Sequence, residues 1–130
     1  MAIDNYLVSN SLRTLKLIGV GMTIDHFVEI SGTLETSRTL QRLDLSQNNL
    51  RNSGCREVAG ILSRNKSLRK LTVSRNEIKD EGIIMILNAL KTNTTLICFR
   101  AEGNKFQATR RLLALIGNLV VYENNCLERL

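Results

Sequence analysis

The chain has 130 residues, 43% of them apolar and 23% charged, and a net charge of +6, a balance that suits one folded core and argues against disorder. Three cysteines, Cys55, Cys98 and Cys126, are too few and too irregularly spaced for a disulfide framework. The longest apolar run, Ile83 to Leu87, is far too short to span a bilayer, and the opening MAIDNYLVSN has no basic flank leading into an apolar stretch. A cytoplasmic protein with reduced thiols and no membrane contact is therefore expected.

In chain order, Ile3 and Leu7 lie four apart, as on one helical face, so residues 2–10 read as the last turns of a helix from an earlier repeat. Leu12, Leu15 and Leu17 end in the apolar-polar alternation of a half-buried strand, expected near residues 14–18. Ile30 and Leu34 restore the spacing of four and predict a helix. The same succession returns with Leu40, Leu43 and Leu45 (strand near 42–46), then Val58 and Leu62 on a helix. It returns again with Leu68, Leu71 and Val73 (strand near 70–74), then Ile86 and Leu90. Asn52 and Asp80 precede these two helices and are expected to cap their free N–H groups, while Gly54 and Gly82 keep the first turn slim. Leu96, Phe99 and Ala101 open a fourth strand near 98–102, followed by an apolar helix around Leu112 to Val121. The closing Asn124 to Leu130 aligns with Asn65 to Leu71, which puts Leu127 31 residues after Leu96, at the opening of a fifth strand.

Leu12, Leu40, Leu68 and Leu96 are spaced 28 residues apart. Behind them run the columns Leu15, Leu43, Leu71, Phe99 and Leu17, Leu45, Val73, Ala101, with Asn48, Asn76 and Asn104 after the strands. The middle units share the pattern L-x-x-L-x-[LV]-x-x-N-x-[LI]. One strand-turn-helix unit cannot bury both of its apolar faces, but stacked copies can. These columns resemble the leucine-rich repeat family, and the unit length with its long helix resembles the ribonuclease-inhibitor-like subclass. The resemblance implies an α/β fold: a right-handed β/α superhelix, or horseshoe, of about four repeats with parallel strands on the concave side and helices on the convex side. It covers residues 1–130 as one array, with repeats 12–39, 40–67, 68–95 and 96–126 and partial repeats at both ends. It also implies that Asn48, Asn76 and Asn104 are structural, their amides bonding the turn backbone of stacked repeats. Val20 breaks that column in the first repeat. Two glycosylation-type triplets, at Asn65 and Asn93, fall at one place in successive repeats and point to a shared turn requirement rather than to sugar.

Charge is unevenly placed. The strand segments 12–19, 40–47, 68–75 and 96–103 hold seven basic residues (Arg13, Lys16, Arg42, Arg69, Lys70, Arg75, Arg100) against Asp44 and Glu102, a balance of +5 out of the net +6. Core-facing strand positions are apolar, so these charges belong on the concave surface or its edges. The function expected is a non-enzymatic protein-interaction scaffold whose basic concave face binds an acidic protein partner, with Lys16, Arg42, Lys70, Arg75 and Arg100 as contacts. A structural segment or subunit of a larger repeat assembly, joined through open array ends, is the alternative; weak nucleic-acid binding comes third, because the chain has no Trp and its Phe residues fall at core positions.

No catalytic residue, cofactor or metal site is expected. The only histidine, His26, stands at a helix start as a capping or surface residue without a nucleophile and orienting group beside it. The cysteines lack the paired spacing of a zinc site, and Gly19-Val20-Gly21 lacks the remainder of a phosphate loop. Cys98 is expected on the concave side as an ordinary small surface residue. The ends, cut through repeats, are expected to leave Leu12, Leu15 and Leu17, and likewise Leu119, Val120 and Val121, less well covered than their central counterparts.

Overall fold

The computed structural model describes residues 11–107, 109–114 and 126–129. Strand and helix alternate: β1 (Thr14–Lys16), α1 (Ile24–Thr36), β2 (Arg42–Asp44), α2 (Arg51–Arg64), β3 (Lys70–Thr72), α3 (Asp80–Leu90) and β4 (Cys98–Arg100), then a helical stretch at 110–114 and β5 (Cys126–Arg129). All five strands form one parallel sheet in the order β1-β2-β3-β4-β5. The register pairs Leu15 with Leu43, Leu43 with Leu71 and Leu71 with Phe99, so the 28-residue spacing in the chain is the step between neighbouring strands.

Each strand is short because its neighbours alternate roles. Leu43, Leu71 and Phe99 are at most 1% exposed, while Arg42 and Lys16 lie in solvent, as the period of two requires of a sheet with one buried face. The helices turn their spacing-of-four residues onto the same core: Ile30, Leu34, Val58, Leu62, Ile86 and Leu90 are all buried, in one cluster with the strand leucines. Helix α2 packs on α1 and on α3. No helix among the described residues is long and apolar enough to cross a membrane.

The corner asparagines carry the stacking, as expected. Asn76, fully buried, accepts from the backbone N–H of Asn48 (2.8 Å) and Leu50 (3.3 Å) and donates to the carbonyls of Leu45 and Ser74. Asn104 accepts from Asn76 and Ile78 in the next step, and Asn48 accepts from Val20 and Met22 in the previous one. The backbone N–H of Val20 is satisfied by Asn48 as that of Asn48 is by Asn76, so each amide serves the repeat before it. A second ladder stands at the opposite end of the strands. Asn65 donates to Leu34 and Ser37 carbonyls and accepts from Ser67 and Leu68; Asn93 donates to Leu62 and accepts from Thr95 and Leu96. Their amides are engaged and buried, which closes both to glycosylation.

Several local expectations are corrected. Helix α2 begins at Arg51 and α3 at Asp80, after Leu50 and Lys79 as caps, and neither cap uses a side chain. Asn52 and Asp80 reach the following repeat instead: Asn52 Oδ1 accepts from the N–H of Lys79 (3.0 Å) and Asp80 Oδ1 from that of Gln107 (2.8 Å). The open donors of one helix start are met by a side chain stacked beside it, so these residues tie repeats together. His26 does cap, pairing with Thr23 in a reciprocal box at the start of α1. Cys98 is buried rather than a surface residue, at 8% exposure, because β5 continues the sheet past β4 and places Cys126 opposite it. Leu127 pairs with Phe99, a step of 28 residues, and the irregularity lies between Phe99 and Arg100, where Arg100 meets Arg129. Leu127 therefore stands in the column of Phe99 and not, as its alignment with Leu68 and Leu96 predicts, in theirs.

At the first repeat Leu15 is 8% exposed and Leu12 and Leu17 only partly buried, whereas Leu40, Leu43 and Leu45 are at most 1% exposed. The expectations for residues 2–10 and for Leu119, Val120 and Val121 lie outside the described residues.

Candidate functional site

The outer face of the sheet forms a groove of about 680 Å³. All five basic residues expected there, Lys16, Arg42, Lys70, Arg75 and Arg100, line it. Lys16, Arg42 and Arg75 are exposed; Lys70 and Arg100 are partly buried. Their common placement follows from register. Arg42 stands beside Lys70 on the next strand, and the column that starts with Lys16 runs through Asp44 and Thr72 to Arg100. Arg13 and Arg69, at the residue before each strand position in register, are exposed but do not line the groove.

The acidic residues of the groove are Asp44 and Glu102. Asp44 turns back onto its own strand end, accepting from the Ser46 N–H at 3.0 Å and the Ser46 hydroxyl at 2.6 Å. In the next repeat Thr72 takes the place of Asp44, and Ser74, the equivalent of Ser46, is left with a buried hydroxyl that has no hydrogen-bond partner. Neither serine stood out in the sequence, because their roles appear only when two repeats are laid side by side.

Backbone strain marks the same place. Residues 19, 47, 75 and 103 occupy one column, and all four have positive φ: Gly19 at 59°, Gln47 at 61°, Arg75 at 53° and Gly103 at 73°. Glycine takes that conformation freely, whereas a residue with a Cβ is held there at a cost of about 1 kcal/mol or more. Arg75 therefore puts a groove cation where two other repeats have glycine, and its stem lies over Gly103, at which an added Cβ would come within 2.8 Å of Arg75 Cγ.

Among the described residues that line the groove there is no nucleophile-base pair. Among the described residues no cluster of His, Cys, Asp and Glu has the arrangement of a metal site. Cys55 is packed in the core, where burial pushes its thiol up to about 12, so it stays protonated and inert at neutral pH. The described lining offers cations, hydroxyls and an apolar floor that includes Leu15 and Leu43.

Residues 36–59 and 64–87 match the family model described as leucine rich repeat. Over these two segments the chain is similar to leucine-rich repeats. The segments span β2 to α2 and β3 to α3, the stretches with the deepest core and complete ladders. No curated protein matches the chain closely enough to be counted as similar. Among solved structures, the repeats are similar to the tropomodulin C-terminal domain of Caenorhabditis elegans, with a TM-score of 0.79 and 17% identity over 98% of this chain and 78% of that one. They are also similar to actin-binding site 2 of leiomodin-1, with a TM-score of 0.72 and 16% identity over 92% of this chain and 86% of the other. At such identity the likeness is one of fold, and fold alone does not carry a function.

Proposed function

We propose that these leucine-rich repeats form a non-enzymatic, cytoplasmic protein-interaction scaffold that receives an acidic protein surface in the basic groove of the sheet. The observation that carries this reading is the convergence of Lys16, Arg42, Lys70, Arg75 and Arg100 on one groove against Asp44 and Glu102 alone, with Asp44 committed to Ser46. Positive charge gathered in a groove speeds encounter and fixes orientation. The likeness to an actin-binding site of leiomodin-1 gives precedent for a protein partner on this fold. In this reading residues 1–130 are one array of the ribonuclease-inhibitor-like kind, a right-handed horseshoe of four repeats with the groove as its concave side. Among the described residues no aromatic side chain lines the groove, which offers nucleic acid no stacking platform there.

The area needs help from the rims. Four strands at about 4.8 Å spacing, with about 7 residues of about 3.3 Å each, present about 440 Å², against about 800 Å² per partner in a standard interface. A second reading, a segment held in a larger assembly, draws on the first repeat, where Ile18 (42%), Val20 (58%) and Val28 (50%) are exposed beside the thinly covered Leu12 and Leu17. One experiment separates the two. Arg42→Glu combined with Lys70→Glu should abolish binding of a poly-glutamate peptide, measured by calorimetry at low salt, while leaving the circular dichroism spectrum and the mass in solution unchanged. Unaltered peptide binding by the double variant would remove the groove from the account; a changed mass with binding retained would favour the assembly reading.

A further inference from the structure

We propose that the β3–β4 half of the groove is a subsite for a phosphorylated serine or threonine side chain on the acidic partner; this rests on the scaffold reading above and localises it. The first observation is charge. Among the described lining residues, Lys70, Arg75 and Arg100 share this half with Glu102, a balance of +2, whereas the β1–β2 half holds Lys16 and Arg42 against Asp44, a balance of +1. A phosphoryl group carries about −1.5 to −2 at neutral pH and three acceptor oxygens, which matches the excess; a side-chain carboxylate carries −1 and two oxygens.

The second observation is the unpartnered donor. Ser74 is 6% exposed, lines the groove, and its buried hydroxyl bonds nothing. Its counterpart Ser46 is satisfied by Asp44, and Thr72 replaces that carboxylate beside Ser74. The exchange does two things at once. It removes a negative charge from this position, and it frees a hydroxyl donor in the half of the groove that Lys70, Arg75 and Arg100 share with Glu102. Buried donors without acceptors are rare because each costs stability, and an arriving oxyanion supplies the acceptor once the hydroxyl turns about its single χ1 bond, which has three staggered positions. The third observation is that Arg75 is kept at φ 53° in a column where glycine stands at 19 and 103 and Gln47, also in the groove lining, at 61°. Strain retained at groove-lining residues accords with a binding role rather than a stabilising one.

The test uses the full chain and three short acidic peptides that differ at one central position: phosphoserine, glutamate or serine. The phosphopeptide should bind about tenfold more tightly than the glutamate peptide, and Ser74→Ala should remove about that factor for the phosphopeptide alone, as expected for one hydrogen bond to a charged group. Arg75→Gly should weaken the phosphopeptide as well, with thermal unfolding no lower than in the parent, because the change relieves the positive φ. Equal affinity for phosphoserine and glutamate peptides, or a Ser74→Ala variant that binds as the parent does, overturns the phosphoryl subsite and leaves the acidic-partner reading standing. Binding of none of the three peptides overturns both.

Discussion

Replacing Asn76 by Leu is expected to cost about 2 to 6 kcal/mol of folding stability. Leucine has the same branched skeleton with bulkier methyl ends, so the loss comes from hydrogen bonds, with overpacking added, rather than from a cavity. The amides of Asn48 and Leu50 both donate to Asn76 Oδ1, and both become buried donors without an acceptor, at about 1–3 kcal/mol each. The carbonyls at the other end suffer less. Leu45 O also accepts from Asn48 Nδ2, and Ser74 O from the Gln47 N–H. A domain of this size has only about 5–15 kcal/mol in hand, so urea denaturation should show the midpoint falling by a large fraction. Asn104→Leu should cost less, because that residue is only partly buried. A loss below about 1 kcal/mol for Asn76 would mean that the ladder decorates the stack rather than holding it.

Two glycines in equivalent secondary structure should respond with opposite signs. At Gly82, in the first turn of α3, an added Cβ would come within 2.9 Å of Cys55 Sγ and of Ile78 Cγ2, and closer still to Asn52 Oδ1. Cys55 and Asn52 belong to the preceding helix. Gly82→Ala therefore forces repeats apart and disturbs the Asn52 bond to Lys79, for an expected loss of about 1–3 kcal/mol. At Gly32, inside α1, an added Cβ meets nothing within 4 Å, and Gly32→Ala should gain about 0.5–1 kcal/mol from helix propensity and a less flexible unfolded chain. Thermal unfolding of the two variants side by side checks the pair. Equal shifts would show that the helix spacing is set by something other than the glycine contact.

The periodic part of this fold was legible in the sequence because both of its signals are local and repeated. Leu40, Leu43 and Leu45 alternate within six residues, Val58 and Leu62 keep a helical spacing, and the same columns recur 28 positions later; the structure pairs those columns strand against strand. The same logic brought Lys16, Arg42, Lys70, Arg75 and Arg100 to one groove. Contacts that cross between repeats were less legible. Asn52 and Asp80 have the side chains of helix caps and stand next to helix starts, so local rules assign them to their own helices; only stacking reveals that they serve Lys79 and Gln107, 27 residues on. Cys98 alternates outward on its own strand, but burial depends on β5. Ser74 differs from Ser46 through the change of one neighbour, Asp44 to Thr72, and that difference carries meaning only once the two strands lie side by side.

The central claim is that an acidic protein surface occupies the groove on the sheet, and amide chemical-shift mapping during titration with a poly-glutamate peptide tests it most directly. Shifts are expected in the backbone segments 14–16, 42–44, 70–75 and 100–102, which carry the lining side chains of the groove, and they should shrink steeply with added salt. The exposed cations Arg56, on α2, and Lys66 and Lys91, just past the ends of α2 and α3, lie outside the groove and should remain still. Shifts concentrated on those three residues, or spread evenly over every lysine and arginine, would contradict the account.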